Sequence, residues 1–188
     1  MKATNTRGEL QELKDCHITV GGNKVTLKVA PEITDSKSAA YNDEPIIGRS
    51  IPLKTFSHGE NRSITMNVHF VVTKFSDIKE NLDSLRILES AVYPRDIRGS
   101  ATAPYLPPPI CKLECGQLFG KGHICAVMKS YSVSFPNSVP WDAGAEDNDV
   151  GKGTYLPYKI TVNLQFDVIY RTEKLPGSEK IMEDGGAF

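Results

Sequence analysis

The last regular part of this chain alternates apolar and polar residues almost without interruption between positions 158 and 171. A period of two places successive side chains on opposite faces of a strand, so residues 158–171 are predicted to form one half-buried β-strand. At about 3.3 Å per residue this strand would span about 45 Å, whereas usual strands reach about 17 to 20 Å. Strands of this length favour extended sheets or rings over a compact catalytic domain. The predicted apolar face consists of Tyr158, Ile160, Val162, Leu164, Phe166, Val168 and Tyr170. The opposite face, which stays free for function, includes Asn163, Gln165 and Asp167.

Other segments also have the short periods that are typical of strands. The predicted strands are 16–20, 24–30, 62–72, 110–115 and 123–135. The turn Gly21-Gly22-Asn23 separates strands 16–20 and 24–30, which predicts a β-hairpin. Lys129 interrupts the alternation of strand 123–135. In this strand, one face is predicted to carry Cys125, Val127, Tyr131, Val133 and Phe135.

One segment changes from strand spacing to helical spacing. Its apolar residues recur every three or four positions, which predicts an amphipathic helix over residues 76–92 with Ser76 as the N-cap and Asp77 in the first turn. The remaining segments are rich in turn-forming residues or proline and are predicted to be irregular. They are the extended arm or loop 31–50, the loops 95–109 and 136–153, the polar N-terminal segment 1–15 and the polar C-terminal tail 172–188. The sequence therefore predicts a mainly β (α+β) chain with a single domain over residues 16–171.

The composition excludes some functions and sets the expected compartment. The 188 residues carry a formal net charge of −1, so no overall electrostatic attraction to nucleic acid or to an anionic membrane is expected. The first 15 residues lack the apolar core of a signal peptide, and no run approaches the roughly 20 apolar residues of a membrane span. We therefore expect a cytosol-like compartment without membrane attachment, in which the four cysteines are reduced and buried.

A metal site is the first specific chemistry that the residues suggest. Cys115, His123 and Cys125 lie close enough in sequence to converge at the end of a hairpin. Cys111 and Cys115, however, would lie about 13 Å apart along one strand, too far for a shared tetrahedral zinc ion. Packed thiols are the favoured interpretation, and no metal or cofactor is predicted.

Three other chemistries receive less support. The segment Gly151-Lys152-Gly153-Thr154 lacks the spacing of a phosphate-binding P-loop. The acidic residues of the 142–149 loop lack the order of an EF-hand calcium loop. No histidine lies in a recognisable nucleophile motif, so no catalytic residue is predicted and the chain is expected not to be an enzyme. The histidines are His17, His58, His69 and His123.

Several segments in a fixed order resemble the baseplate-proximal tail-tube proteins of contractile-tailed bacteriophages, also called tube initiators or baseplate tube proteins. The resemblance covers about residues 27–170. The matching segments are APEITDSKSAAY (30–41), IGRSIP (47–52), the strand that begins RSI (62–64), LRILESAVYP (85–94), the proline triplet 107–109, and VSFP (133–136) leading through Trp141 to LPY (156–158). The chain departs from related proteins in having no peptidoglycan-binding module, and its tail after residue 174 matches no motif.

The resemblance implies an antiparallel β-sandwich of the tail-tube type, with the predicted helix packed on the apolar face of strand 158–171. It also implies a homo-hexameric ring in the virion, assembled in the host cytoplasm, that initiates or continues the tail tube and contacts other baseplate hub and tail-tube proteins. DNA would pass transiently through the ring, along a lumen lined by Asn163, Gln165 and Asp167. The expected subunit contacts are Tyr41, Arg49, Pro52, Trp141 and Asp142.

One alternative from a different class stays open. A β-sandwich module could bind carbohydrate or calcium through Trp141 and the acidic loop 142–149. Binding without oligomerisation would favour this module over the ring. The sequence does not choose between the ring types, namely tube initiator, hub adaptor and tail terminator.

Overall fold

A computed structural model of the chain describes residues 16–96, 105–116, 118–119, 122–141 and 157–170. It confirms the predicted mainly β (α+β) fold class, with eleven strands and one helix in this part of the chain. The elements in chain order are β1 Cys16–Val20, β2 Asn23–Thr26, β3 Glu32–Ser36, β4 Ala39–Glu44, β5 Leu53–Gly59, β6 Ser63–Val71, α1 Phe75–Ser90, β7 Arg95–Asp96, β8 Tyr105–Leu106, β9 Cys111–Cys115, β10 Ile124–Ser134 and β11 Lys159–Val168.

Seven of the strands form one antiparallel sheet in the order β2-β1-β9-β10-β11-β6-β3. Strict alternation along β6 and β11 turns every second side chain toward the interior. Buried side chains from both halves of the sheet join Leu85, Leu88 and Ala91 of the helical region in a single hydrophobic cluster. The sheet and the helix therefore share one core, which gives a β-sandwich-like α+β architecture.

The long C-terminal strand exists but is shorter than predicted. β11 has ten residues, about 33 Å at the usual rise, instead of the predicted fourteen. It pairs with β6 from Lys159 to Asp167 and with β10 as far as Val168. Tyr158 and Tyr170 lie just outside it, and position 171 lies outside the described residues.

The predicted apolar face of β10 is wrong for half of the strand. A β-bulge lies between Met128 and Ser130, at the position of Lys129. Before the bulge the even-numbered residues are buried, whereas after it Tyr131 and Val133 pack against the core. The extra residue shifts the alternation by one position, so Cys125 and Val127 lie on the face opposite to Tyr131. The lysine that interrupted the sequence pattern marks this shift.

The helix is confirmed, but its start differs from the prediction. α1 begins at Phe75, and the N-cap is Lys74 instead of Ser76. Asp77 supplies the capping from within the first turn, because its Oδ2 accepts hydrogen bonds from the backbone N–H groups of Lys74 (2.9 Å) and Thr73 (2.9 Å). An anionic side chain here also interacts favourably with the helix dipole.

Two predicted loops contain strands. The segment 31–50 was predicted to be an arm or loop, but it contains β3, which joins the main sheet, and β4, which pairs with β5 in a separate hairpin. The segment 95–109 contains β7 and β8, which pair over two residues each. Backbone pairing decides these strands, since their residues have no clear period of their own.

The prediction that all four cysteines are reduced is wrong for two of them. β1 pairs with β9 so that Cys16 lies opposite Cys115, and the two form a disulfide across 99 positions of sequence. Cys111 and Cys125 are free thiols. Strand pairing between distant segments brings the bonded pair together, and no local sequence pattern carries that information.

Some predictions concern residues outside the described part of the chain. These are the N-terminal segment 1–15, the tail 172–188, Asp142 and the rest of the acidic loop 142–149. Within the described ranges, no helix is long and apolar enough to cross a membrane.

Candidate functional site

The β4–β5 hairpin, here called the arm, lies outside the seven-stranded sheet. Its two strands pair with each other and not with the main sheet. Tyr41 and Phe56 lie opposite each other with their rings edge to face, 5.8 Å between centroids, and both are exposed. Aromatic pairs of this kind are usually found in cores or at interfaces, so their exposure makes the arm a candidate contact surface.

The tip of the arm, residues 45–52, is apolar as well. Ile47 is fully exposed, and Ile46 and Ile51 are exposed beside it. The predicted contact residues Arg49 and Pro52 lie in the same tip and are also exposed. Together with Tyr41, three of the five predicted contact residues therefore lie on one projecting element, although their sequence signal came only from the resemblance.

The root of the arm is closed by hydrogen bonds. The backbone N–H of Glu60 donates to the carbonyl oxygen of Ser38 at 3.0 Å, and the Ser38 hydroxyl bonds the Glu60 carboxylate. Within the arm, Lys54 Nζ lies 3.0 Å from Asp43 Oδ1. The two ends of the arm therefore meet beside the main sheet, where β3 ends and β6 begins.

The strand beside the arm root, β3, ends the order of the main sheet. It pairs with β6 on one side and with no other strand in the described part of the chain. Asp35 on β3 holds Arg62 through two contacts to its Nε, of 2.9 and 3.0 Å, and this bond raises the pKa of the guanidinium further. An unpaired edge is a site to which another strand can add.

A cavity of about 280 Å³ lies next to this edge. It is lined by Pro31, Ile33, Asp35, Leu118 and Phe119. Phe119 is buried in the core and forms the floor, while Leu118 is exposed at the rim. Among the described residues, the lining is apolar apart from one carboxylate, which suits an aliphatic side chain with a nearby cation.

The outward face of the sheet is polar and hydrogen-bonded across strands. Asn163 donates to Asn67 Oδ1 at 2.6 Å, and Asn67 donates to Glu32 at 3.2 Å, so one row of bonds crosses three strands. Gln165 lies opposite Thr65 on β6 and is exposed. The structure therefore places the predicted lumen residues on one continuous polar surface.

The charges balance on the part of this face that carries Asn163, Gln165 and Asp167. Asp167 is paired with Lys129, 3.2 Å between Oδ2 and Nζ, because the bulge brings that lysine beside it. Strand parity places Lys159 and Glu32 on the same face. On β3, β6, β11 and the adjacent Lys129, two cations and two anions thus offer little net attraction to a polyanion.

A groove of about 320 Å³ between α1 and β2 is a second concave feature. Lys28 crosses it and contacts Asp77 Oδ1 and Glu80 Oε2, each at 2.8 Å. Its ammonium group, with the Thr73 and Lys74 bonds, holds the pKa of Asp77 well below its usual range. These groups already have partners, so the groove attaches the helix to the sheet.

The predicted interface residue Trp141 lies apart from the arm. Its ring is 6.4 Å from that of Phe135 between centroids, and both rings are exposed. Trp141 also forms an isolated β-bridge with Pro157 at the start of the last strand. The two rings make a small aromatic platform.

The metal and catalytic alternatives gain no support from the geometry. Cys115 is used by the disulfide, and burial raises the pKa of the Cys111 thiol to about 11, which disfavours the thiolate that a metal or a nucleophilic reaction needs. His69 bonds Thr161 (Nδ1 to Oγ1, 3.2 Å) on the polar face, and His17 bonds Glu114 at 2.9 Å. No group of three metal-ligating side chains occurs within the described ranges.

The residues that sequence reasoning missed are Ile47, Ile51, Phe56 and Leu118. The sequence carries a signal for Ile47 and Ile51, since an isoleucine-rich stretch between Pro45 and Pro52 fits neither a buried strand nor a solvated loop.

Comparison with known proteins adds no relative. No protein-family model matches the chain. A search of curated proteins likewise finds no significant match.

Proposed function

We propose that this protein is a non-enzymatic structural component of a contractile phage tail baseplate, which forms a hexameric ring that initiates or continues the tail tube. The observation that carries the proposal is the arm, a hairpin whose aromatic and isoleucine side chains are exposed instead of packed in the core. The order of tail-tube-like motifs along the sequence gives the type of assembly.

The free edge of the sheet supports a ring in particular. β3 offers unpaired backbone groups at one end of the seven-stranded order. A closed ring of copies removes such edges, whereas an isolated chain leaves them open to aggregation. Heterologous contacts between identical copies form rings when the rotation closes.

The polar face supports a conduit. The neutral amides of Asn67, Asn163 and Gln165, together with the balanced pairs around Asp167, would form a wetted wall along which DNA slides with few ionic contacts. In this proposal the ring lies in the virion after assembly in the host cytoplasm, next to other baseplate hub and tail-tube proteins.

The test compares the wild-type chain with an arm deletion. Because the Ser38 carbonyl and the Glu60 N–H already meet, residues 39–59 can be replaced by a Gly-Ser turn without opening the sheet. Native mass spectrometry and negative-stain electron microscopy, alone and with tail partners, should show hexamers for the wild type and monomers for the deletion. Thermal unfolding followed by circular dichroism should show that the deletion variant still folds.

Two results would contradict this proposal. A wild-type chain that stays monomeric and joins no tail partner would exclude the ring. Rings that form equally well without the arm would show that the contact lies elsewhere.

A ligand-binding module is the second candidate function. The observation that favours it is the exposed pair Phe135 and Trp141, since sugar rings stack on such aromatic surfaces. Calorimetry with glycans and with calcium tests it, with Trp141→Ala as the matched variant. Saturable binding by a monomer, lost in that variant, would favour the module.

A further inference from the structure

We infer that the tip of the arm docks into the cavity beside β3 of a second copy, with Ile47 as the inserted side chain and Arg49 facing Asp35. This inference rests on the proposed function, because it names the surface that receives the arm. Both halves of the contact lie on the same chain, so a second copy supplies the partner for each of them.

The size and the lining of the cavity suit an aliphatic side chain such as that of Ile47. Its volume of about 280 Å³ is slightly below the usual range for small-molecule sites, about 300 to 1,000 Å³, and the described lining residues are mainly apolar. A branched aliphatic side chain removes the exposed surface of Leu118 and Ile33 from water when it enters. The exposed isoleucine tip loses its own contact with water in the same step.

The charges complement each other across the contact. Asp35 lines the cavity and its side chain is 36% exposed, so its carboxylate keeps an accessible side although it holds Arg62. Arg49 lies two positions from Ile47 in the tip and is exposed. A second guanidinium can approach the open side of a carboxylate, which has about four acceptor positions.

The arrangement also explains why the contact forms between copies. The arm begins two residues after β3 ends, and its strands carry the tip about 20 Å away from that root. The cavity lies back at β3, and Ile47 is fully exposed instead of filling it. Because the tip and the cavity lie at different places on one chain, the tip of one copy would contact the cavity of the next, and each added copy would repeat this head-to-tail contact.

The experiment exchanges charges across the predicted contact. Ile47→Asp and Leu118→Lys are each expected to raise the dissociation constant of assembly at least about tenfold, because the first brings a second carboxylate toward Asp35 and the second brings a second cation toward Arg49. The double variant is expected to recover most of the assembly, because the two charges then meet. Ile110→Lys is the matched control, since Ile110 is an exposed isoleucine away from both surfaces, and assembly should be unchanged.

Photo-crosslinking provides an independent measurement. A benzoylphenylalanine at position 47, in a mixture of ¹⁴N- and ¹⁵N-labelled chains, should give mixed-isotope crosslinks to peptides that contain residues 31–35 or 118–119. Thermal unfolding of every variant should match the wild type, because the changed side chains are exposed.

The outcomes separate this inference from the ring. If the wild type assembles but the single variants do too, or if residue 47 crosslinks elsewhere, the docking contact is wrong and the ring stands. If the charge exchange controls association into dimers or open chains without rings, the docking contact stands and the ring is wrong. A wild type that never associates overturns both.

Discussion

The main sheet and the arm use similar residues for opposite purposes. In β6, four alternating apolar side chains, Ile64, Met66, Val68 and Phe70, are buried, and β11 repeats the pattern beside it. In the arm, Tyr41, Leu53 and Phe56 have comparable apolar surface and remain exposed. Apolar side chains in the sheet stabilise the chain itself, whereas those in the arm are available to stabilise an assembly.

A segment can therefore form β-strands without burying its apolar side chains. The arm keeps its strands through backbone pairing and its own cross-strand contacts, such as Tyr41 with Phe56. An isolated two-stranded hairpin is marginally stable in water, so the arm gains most from a partner that covers it.

Two matched phenylalanine substitutions, one in the main sheet and one in the arm, should differ most in the free energy of unfolding. Phe166 is 0% exposed in β11 and Phe56 is 63% exposed in the arm. Phe166→Ala should lower the free energy of unfolding by about 3 to 5 kcal/mol, because it leaves a cavity in the core. Phe56→Ala should change it by less than about 0.5 kcal/mol. Urea denaturation at protein concentrations too low for assembly measures both, and equal losses would show that the arm is part of the core.

The second largest effect concerns the disulfide that fixes β1 to β9. Replacing both Cys16 and Cys115 by alanine should lower the free energy of unfolding by about 2 to 4 kcal/mol, because the bond closes a long loop in the unfolded chain. Cys125→Ala is the control, since that thiol is free. Denaturation with and without a reductant should show the same loss for the wild type. A wild type that is indifferent to reductant would contradict the bond.

A smaller effect depends on pH. Asp77→Asn should destabilise the protein at neutral pH, because the folded-state pKa of Asp77 is held below its usual value mainly by the ammonium group of Lys28. A lowered pKa gives stability that is complete above the unfolded value, about 3.9, and is lost as the pH falls below it. The difference in melting temperature between wild type and variant should therefore shrink below about pH 4. Asp83→Asn, on the exposed side of α1, should show almost no such difference.

The smallest effect sharpens the contrast between the two faces of the sheet. Gln165→Lys should change the free energy of unfolding by less than about 0.5 kcal/mol, because Gln165 is exposed on the polar face. It should nevertheless add positive charge to the proposed wall and increase salt-dependent binding of the assembly to DNA. Filter binding at two salt concentrations tests this, and an unchanged salt dependence would place Gln165 away from the DNA path.

Local patterns predicted much of the fold because they act over a few residues. The alternation in β6 and β11 and the helical spacing of Ile78, Leu85 and Leu88 are periods that the sequence itself displays. The N-cap was misplaced because Asp77 caps from the third position of the helix, so the residue that precedes Ser76 became the first helical one.

The candidate site was harder to predict because it depends on what is left uncovered. Tyr41, Arg49 and Pro52 were expected to be contact residues from the resemblance, and the structure places all three on the exposed arm, where a contact stays a prediction. The cavity at Leu118 and Ile33 is lined by segments far apart in sequence, so no local spacing of residues predicts it.

The periodic strands, the helix and the polar face of the last strand follow from the sequence alone, since side-chain period follows directly from backbone geometry. Tertiary structure alone decided the partners. It brought Cys16 to Cys115, shifted the face of β10 at Lys129, and built the arm from a segment without a period. The physical reason is that strand pairing and bulges depend on contacts between distant segments, which compete over the whole fold.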